Sequence, residues 1–375
     1  MSQRLTINEL QEKIPVLKDA HKKTPIQPRL EALGTLLNLE NLRNVEPYFV
    51  DNILEIVINR TDDKPQVSEK AIEVGRDIIS KLSIQAFPRV IQIIFRGMSV
   101  ESKWKSKFGS LTFLADYIDR VEKFDRDLLS SCLPELISAL SDILYDTKPE
   151  VSDLAEVVLR KAMRGITNRD LEPFVEDLIK AMKNRDETEE TIQKLGGVVF
   201  VQTVEGSALS VVIPLMLAGF RQSKAMIKRM CARIVSNMSK LVEEPLEAAP
   251  FLKDLIPALG DAIDTIADPE ARDVATKTHQ ALIKMDGQAK EMMEQRKFRQ
   301  AEFISGAVKD RIDGNADMSD MNTYNPENDN VDPAMPTIII TTPDRIITPK
   351  LALPAILANI FGRLLGGNVS RVRSC

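Results

Sequence analysis

The chain has 375 residues, 43% of them hydrophobic and 28% charged, with 55 acidic against 50 basic side chains for a formal charge of −5. That length exceeds one ordinary compact domain, and the near-balance of charge excludes a global attraction to nucleic acid while permitting local basic faces. With 5% aromatic residues and 16 glycines the composition argues against a sheet-rich fold; Leu, Ile, Ala, Lys and Glu tolerate or favour helix.

In chain order, the N-terminal stretch MSQRLTINELQEK lacks the apolar run of a secretory leader, and residues 1–45 read as an N-terminal helical cap. Six segments follow with one pattern: a Pro or aromatic residue, an apolar stripe, a polar break, a second apolar stripe. They begin near Pro47, Pro88, Pro134, Pro173, Pro214 and Pro257, about forty residues apart, inside the range of HEAT and armadillo repeats. The stripes have helical period. Leu133, Leu136, Ile137, Leu140, Ile143 and Leu144 fall on one helix face, as do Ile227, Met230, Cys231, Ile234, Val235 and Met238, and Leu252, Leu255, Ile256, Leu259 and Ile263. The breaks Arg60–Pro65, Asp146–Pro149, Asn184–Glu187 and Ala267–Pro269 are polar and turn-forming, and Pro suits the first turn of the helix that follows. One helix pair cannot bury such wide apolar faces alone, whereas stacked pairs can. The expected fold is therefore an all-α HEAT-repeat solenoid, a right-handed superhelix of antiparallel helix pairs, over residues 46–303.

The remainder changes character. Between Asp310 and Asp332 stand seven acids against one base, a composition that does not bury enough apolar area to offset chain entropy, so residues 304–350 read as a disordered acidic linker. After Asp344 come five bases and no acid. Residues 351–375 form a short apolar and basic segment that suits docking on the solenoid, a membrane surface or a partner groove. No run of 18 or more apolar residues is present, so no conventional membrane span is expected.

Chemistry is sparse. His21 and His279 have no companions at ligand spacing and read as helix-surface residues. The acid pairs Asp62-Asp63, Glu189-Glu190 and Glu243-Glu244 suit solvated helix ends. Cys132 and Cys231 fall in apolar stripes and read as buried thiols; with Cys375 the count is odd, which fits a reducing, cytoplasmic setting. No G-x-x-x-x-G-K-[ST] occurs, and Gly196-Gly197 and Gly366-Gly367 lack the Lys-Ser/Thr that would cradle a phosphate. The expectation is no enzyme, no cofactor, no metal and no small-molecule substrate. Basic residues, however, recur near the starts of second helices: Lys103, Lys105 and Lys107 around the single Trp104, then Lys194, then Lys224, Lys228, Arg229 and Arg233, then Arg272. Equivalent positions of a solenoid align, so these form a candidate ridge for a phosphate backbone, with Trp104 free to stack on a base or to seal the start of its helix. The competing reading pairs them with acids of adjacent intra-repeat turns.

The stretch Pro214–Ala275 resembles the N-terminal HEAT region of translation elongation factor 3. Ile227-Lys228-Arg229, Asn237-Met238, Pro250-Phe251-Leu252 and Ile266–Arg272 carry the likeness, with weaker support from Trp104–Lys107, Gly109 and Asp146–Lys148. It covers roughly residues 50–285, and the ribosome-associated scaffold of the general amino-acid control pathway has a related block. The resemblance implies a ribosome-binding module in translation elongation, with rRNA phosphates, ribosomal proteins and other translation factors as partners. The family's ABC ATPase cassettes have no counterpart in this sequence, so ATP hydrolysis is not carried over. The alternative is a general scaffold for tubulin, kinases or cargo. Exposed basic ridges would favour the ribosome or acidic tubulin tails; an apolar, acidic groove would favour a peptide or cargo.

Overall fold

The computed structural model describes residues 7–18, 25–37 and 46–312, and contains no strand among them. Of the expected disordered linker 304–350, residues 304–312 instead continue the last helix, which ends at Ile312; the rest of it and the apolar, basic segment 351–375 lie outside the described residues. Met1–Ile304 form one contact unit; of a second, Ser305–Cys375, the described part is the end of the last helix.

Helices α1 (Ile7–Lys18) and α2 (Ile26–Leu36) precede six helix pairs. The first pair opens irregularly: α3 (Glu46–Tyr48) runs through a π-helical turn (Phe49–Ile53) into α4 (Leu54–Arg60), followed by α5 (Pro65–Lys81). Next come α6 (Phe87–Gly97) with α7 (Trp104–Phe124), and α8 (Arg126–Ile143) with α9 (Pro149–Ala162). Then α10 (Val175–Lys183) precedes α11 (Thr188–Gly196), α12 (Gly206–Phe220) precedes α13 (Ala225–Ser239), and α14 (Pro245–Thr265) precedes α15 (Pro269–Ile312). Pro65, Pro149 and Pro269 each open a second helix, where the missing N–H costs nothing.

Stacking follows from the apolar stripes. The second helices pack in a row, α5 on α7, α7 on α9 and α11 on α13, and the leading helices do likewise, α4 on α6 and α12 on α14. Leu133, Leu136, Ile137, Leu140, Ile143 and Leu144 are all buried, as are Ile227, Cys231, Ile234, Val235 and Met238, in one continuous core. The predicted stripes become the seams between repeats, and α2 extends the row by packing on α5.

Two departures have physical causes. Pro134, Pro214 and Pro257 do not begin repeats; they lie inside α8, α12 and α14, which start at Arg126, Gly206 and Pro245. The true start of α8 is Asp125, whose carboxylate accepts the Leu128 N–H as an N-cap. Interior proline is tolerated on the outward side of these helices, where Pro214 and Pro257 are exposed. The second departure is a skip in the leading row: α8 packs directly on α12, and the short α10 packs on α9, α11 and α12. A loop network holds this join. Asp170 accepts the N–H groups of Val201 and Gln202, and Asn168 donates to the Thr203 carbonyl.

Close approach at two glycines shows how tight the seams are. A Cβ on Gly75 of α5 would overlap the buried ring of Phe113 on α7, and one on Gly219 of α12 would overlap Cys231 Sγ and Ile192.

Candidate functional site: a paired basic ridge and an acidic groove

The second helices carry the bases where expected, near the intra-repeat turns; four of the nine pair with acids of neighbouring repeats and Lys194 with acids of its own. Lys103 pairs with Asp62 in the preceding turn, and Lys107 pairs with Asp146 in the following turn at 2.8 Å. This second pair is largely enclosed, with side chains 13% and 9% exposed. Burial pushes the Asp146 carboxyl up, but the Lys107 hydrogen bond, the Lys148 N–H and both ammonium charges together hold it below the usual aspartate range. Lys194 binds Asp177 at 2.8 Å and Glu190 at 3.0 Å, and these two acids, Asp177 first, hold its ammonium pKa up.

The Lys224–Arg233 cluster of α13 reaches in two directions. Backward, Lys224 pairs with Glu189 at 2.6 Å and Arg233 donates to the Gly196 carbonyl at 2.7 Å. Forward, Lys228 donates to Thr265 Oγ1 at 2.7 Å, and Arg229 pairs with Asp268 at 3.0 Å. The four bases thus act as a clasp between neighbouring repeats. Arg272 donates to the Ile266 carbonyl, closing the turn before α15. Among the described residues, Lys105, Lys228, Arg233 and Arg272 are the members of the ridge with no carboxylate in ion-pair range. Trp104 is the first residue of α7, 40% exposed, with Lys105 Nζ 5.9 Å from its ring centroid.

Two sequence expectations, for Asp63 and His279, need correction. Asp63 is not a solvated acid: it is enclosed between Arg60 at 3.1 Å and Arg29 of α2, itself 1% exposed. Glu189 and Glu190 do stand in the first turn of α11, as expected, and in addition pair with Lys224 and Lys194. His279 is half-buried, with its ring against Gly260 of α14, because α15 folds back along α14; His21 lies outside the described residues. Cys132 and Cys231 are buried free thiols, and burial raises them to about 11 and about 12.

Sequence reasoning missed a groove on the leading helices. It has a volume of about 1410 Å³ and crosses α6, α8, α12 and α14. Its rim carries Asp127, Glu135, Asp142, Glu205, Glu247 and Asp254 against the single base Lys253. The signal was present as acids and prolines on the outward positions of three leading helices, but those helices are adjacent only because α8 meets α12.

Comparison with known proteins bears on the whole array. Residues 3–159 match the description "EF3 N-terminal HEAT repeat" and residues 186–293 match "Elongation factor 3/GNC1 HEAT repeat". Residues 160–185, in neither match, coincide with the end of α9, the loop after it and α10. Elongation factor 3 of Phytophthora infestans is 34% identical over 248 residues, 66% of this chain and 24% of its own length. That of Eremothecium gossypii is 33% identical over 249 residues, 66% and 24% respectively. Elongation factor 3B of Saccharomyces cerevisiae is 33% identical over 290 residues, 75% and 27%. The chain spans about a quarter of the length of these curated relatives.

Proposed function

The chain belongs to the elongation factor 3 HEAT-repeat family over residues 3–159 and 186–293, and we propose that it is a non-catalytic, cytoplasmic ribosome-binding module acting in translation elongation or its regulation. Family membership is the observation that carries this reading. A solenoid of stacked pairs offers a long surface and no enclosed reaction centre, which suits docking on a large particle. The partners are rRNA phosphates and ribosomal proteins, reached through the ridge of second-helix bases.

The pairing of that ridge shapes the mechanism. Exposed ion pairs such as Lys224–Glu189 contribute only about 0–1 kcal/mol, so a phosphate can replace the carboxylate at little cost. Lys105, Lys228, Arg233 and Arg272, with no carboxylate to displace, are the first contacts. Each phosphate neutralised releases counterions, so affinity falls as salt rises.

The test is co-sedimentation of the full chain with cytosolic ribosomes across a salt series, beside a Lys105→Glu/Lys228→Glu/Arg233→Glu variant with its helical content checked by circular dichroism. Binding that weakens with salt and with the variant supports the reading. A chain that stays in the supernatant at low salt removes it.

A further inference from the structure

The groove across α6, α8, α12 and α14 differs in kind from the basic ridge. None of its six carboxylates has a cationic partner in ion-pair range among the described residues, whereas most ridge bases are paired with acids. Glu247 accepts the Gly206 N–H at 2.7 Å and Glu135 accepts from Gln92, neutral contacts that leave both charges in place. Asp142 and Asp254 are exposed.

Two further observations concern the polar lining between these acids. Ser207 is 5% exposed, lines the groove, and its hydroxyl has no hydrogen-bond partner. Pro134, Pro214 and Pro250 also line it, one helical turn beyond Ser130, Ser210 and Leu246, which line it too. A helix-interior proline lacks the N–H that would bond the carbonyl four residues back. Three leading helices therefore each lose one intrahelical hydrogen bond beside the groove. Between these polar groups lie Phe95, Ile137, Ile213, Leu217 and Phe251. At about 1410 Å³ the groove exceeds the usual range for small ligands, about 300–1,000 Å³.

We infer that this groove binds a basic peptide segment of a partner protein, with Lys and Arg side chains reaching the carboxylates and apolar side chains between them on the floor. Guanidinium and ammonium groups are all donor and no acceptor, matching six carboxylates that only accept. A nucleic acid would meet six like charges there, so this site is separate from the ridge proposed for rRNA and does not rest on the ribosomal reading.

The test is fluorescence anisotropy of the full chain with a labelled Lys/Arg/Leu peptide of about twenty residues, beside a Glu/Leu peptide of equal length and a single-stranded RNA. The Lys/Arg/Leu peptide is expected to bind, more weakly as salt rises, and the other two are not. A Glu135→Lys/Asp142→Lys/Asp254→Lys variant should lose at least about tenfold in affinity, since like charges across an interface are strongly disfavoured. The neutral Glu135→Gln/Asp142→Asn/Asp254→Asn variant should show a smaller loss, and it keeps the test valid if the reversed variant folds poorly. Absence of peptide binding at low salt, equal binding of the acidic peptide, or binding unmoved by both variants overturns the inference. Ribosome sedimentation of the neutral variant separates the two sites: it should match the parent chain.

Discussion

At the level of single residues, the decisive contacts join one repeat to the next through the turns. Lys107 and Asp146 are the clearest case, because both are enclosed and each satisfies the other. Removing the carboxylate leaves a buried ammonium unpaired, so Asp146→Ala should cost on the order of 3 kcal/mol, read as a lower urea midpoint. The pH dependence has a definite sign. Because the folded-state pKa of Asp146 lies below its ordinary 3.8, its contribution is full above that value and is lost as pH falls through the depressed one. Urea titrations at descending pH should show Asp146→Asn losing less stability than the parent chain over that acid window. Thiols offer a second residue-level test. Cys132 and Cys231 hold their protons well above neutrality because burial disfavours the thiolate. In a Cys375→Ser background, modification by a thiol reagent near pH 8 should therefore track unfolding, and fast labelling of the folded chain would contradict the burial.

Among the elements, helix spacing is controlled by small residues facing large ones. Alanine at position 75 would gain about 1 kcal/mol in helix propensity over glycine, but its methyl overlaps the Phe113 ring, which is 0% exposed and has nowhere to move. Gly75→Ala should therefore destabilise by about 1–3 kcal/mol, and Phe113→Leu in the same chain should recover part of that loss. A simple sum of the two single effects in the double variant would mean that the seam is looser than the structure shows. The leading helices carry the same lesson about context. Pro134 and Pro214 look like boundaries in the sequence, since proline commonly ends a helix. Asp125 at one end and a long apolar stripe at the other keep α8 continuous across Pro134. Local punctuation is overruled because stacking buries the whole helix length.

For the whole molecule, each repeat in the unit Met1–Ile304 touches its neighbours, with the α8–α12 contact the exception, so damage far from that join should remain local. Hydrogen exchange followed by mass spectrometry should show Gly75→Ala losing protection in α4 to α7 while α12 to α14 keep theirs, and Gly219→Ala the converse. Uniform loss along the chain would instead indicate a single cooperative unit. The join at α8 and α12 gives this scale its functional content, since it brings three proline-bearing helices together and makes a continuous groove from separate acids.

The amino-acid sequence by itself determined the helical period, the forty-residue repeat, the polar turns and the family, because these depend on neighbours within one or two helical turns. It also located the bases of the second helices, from Lys103 to Arg272. Which acids those bases meet was decided by stacking, since Lys107 and Asp146 or Arg229 and Asp268 are some forty residues apart in the chain and adjacent only across a seam. The acidic groove was decided the same way. Asp142 and Asp254 are isolated surface residues until α8 packs on α12, and the repeat period gave no warning of that step because it lies where α10 is short. Periodicity is local physics and can be read along a chain; charge pairing and concavity are properties of distances that exist only once the helices have packed.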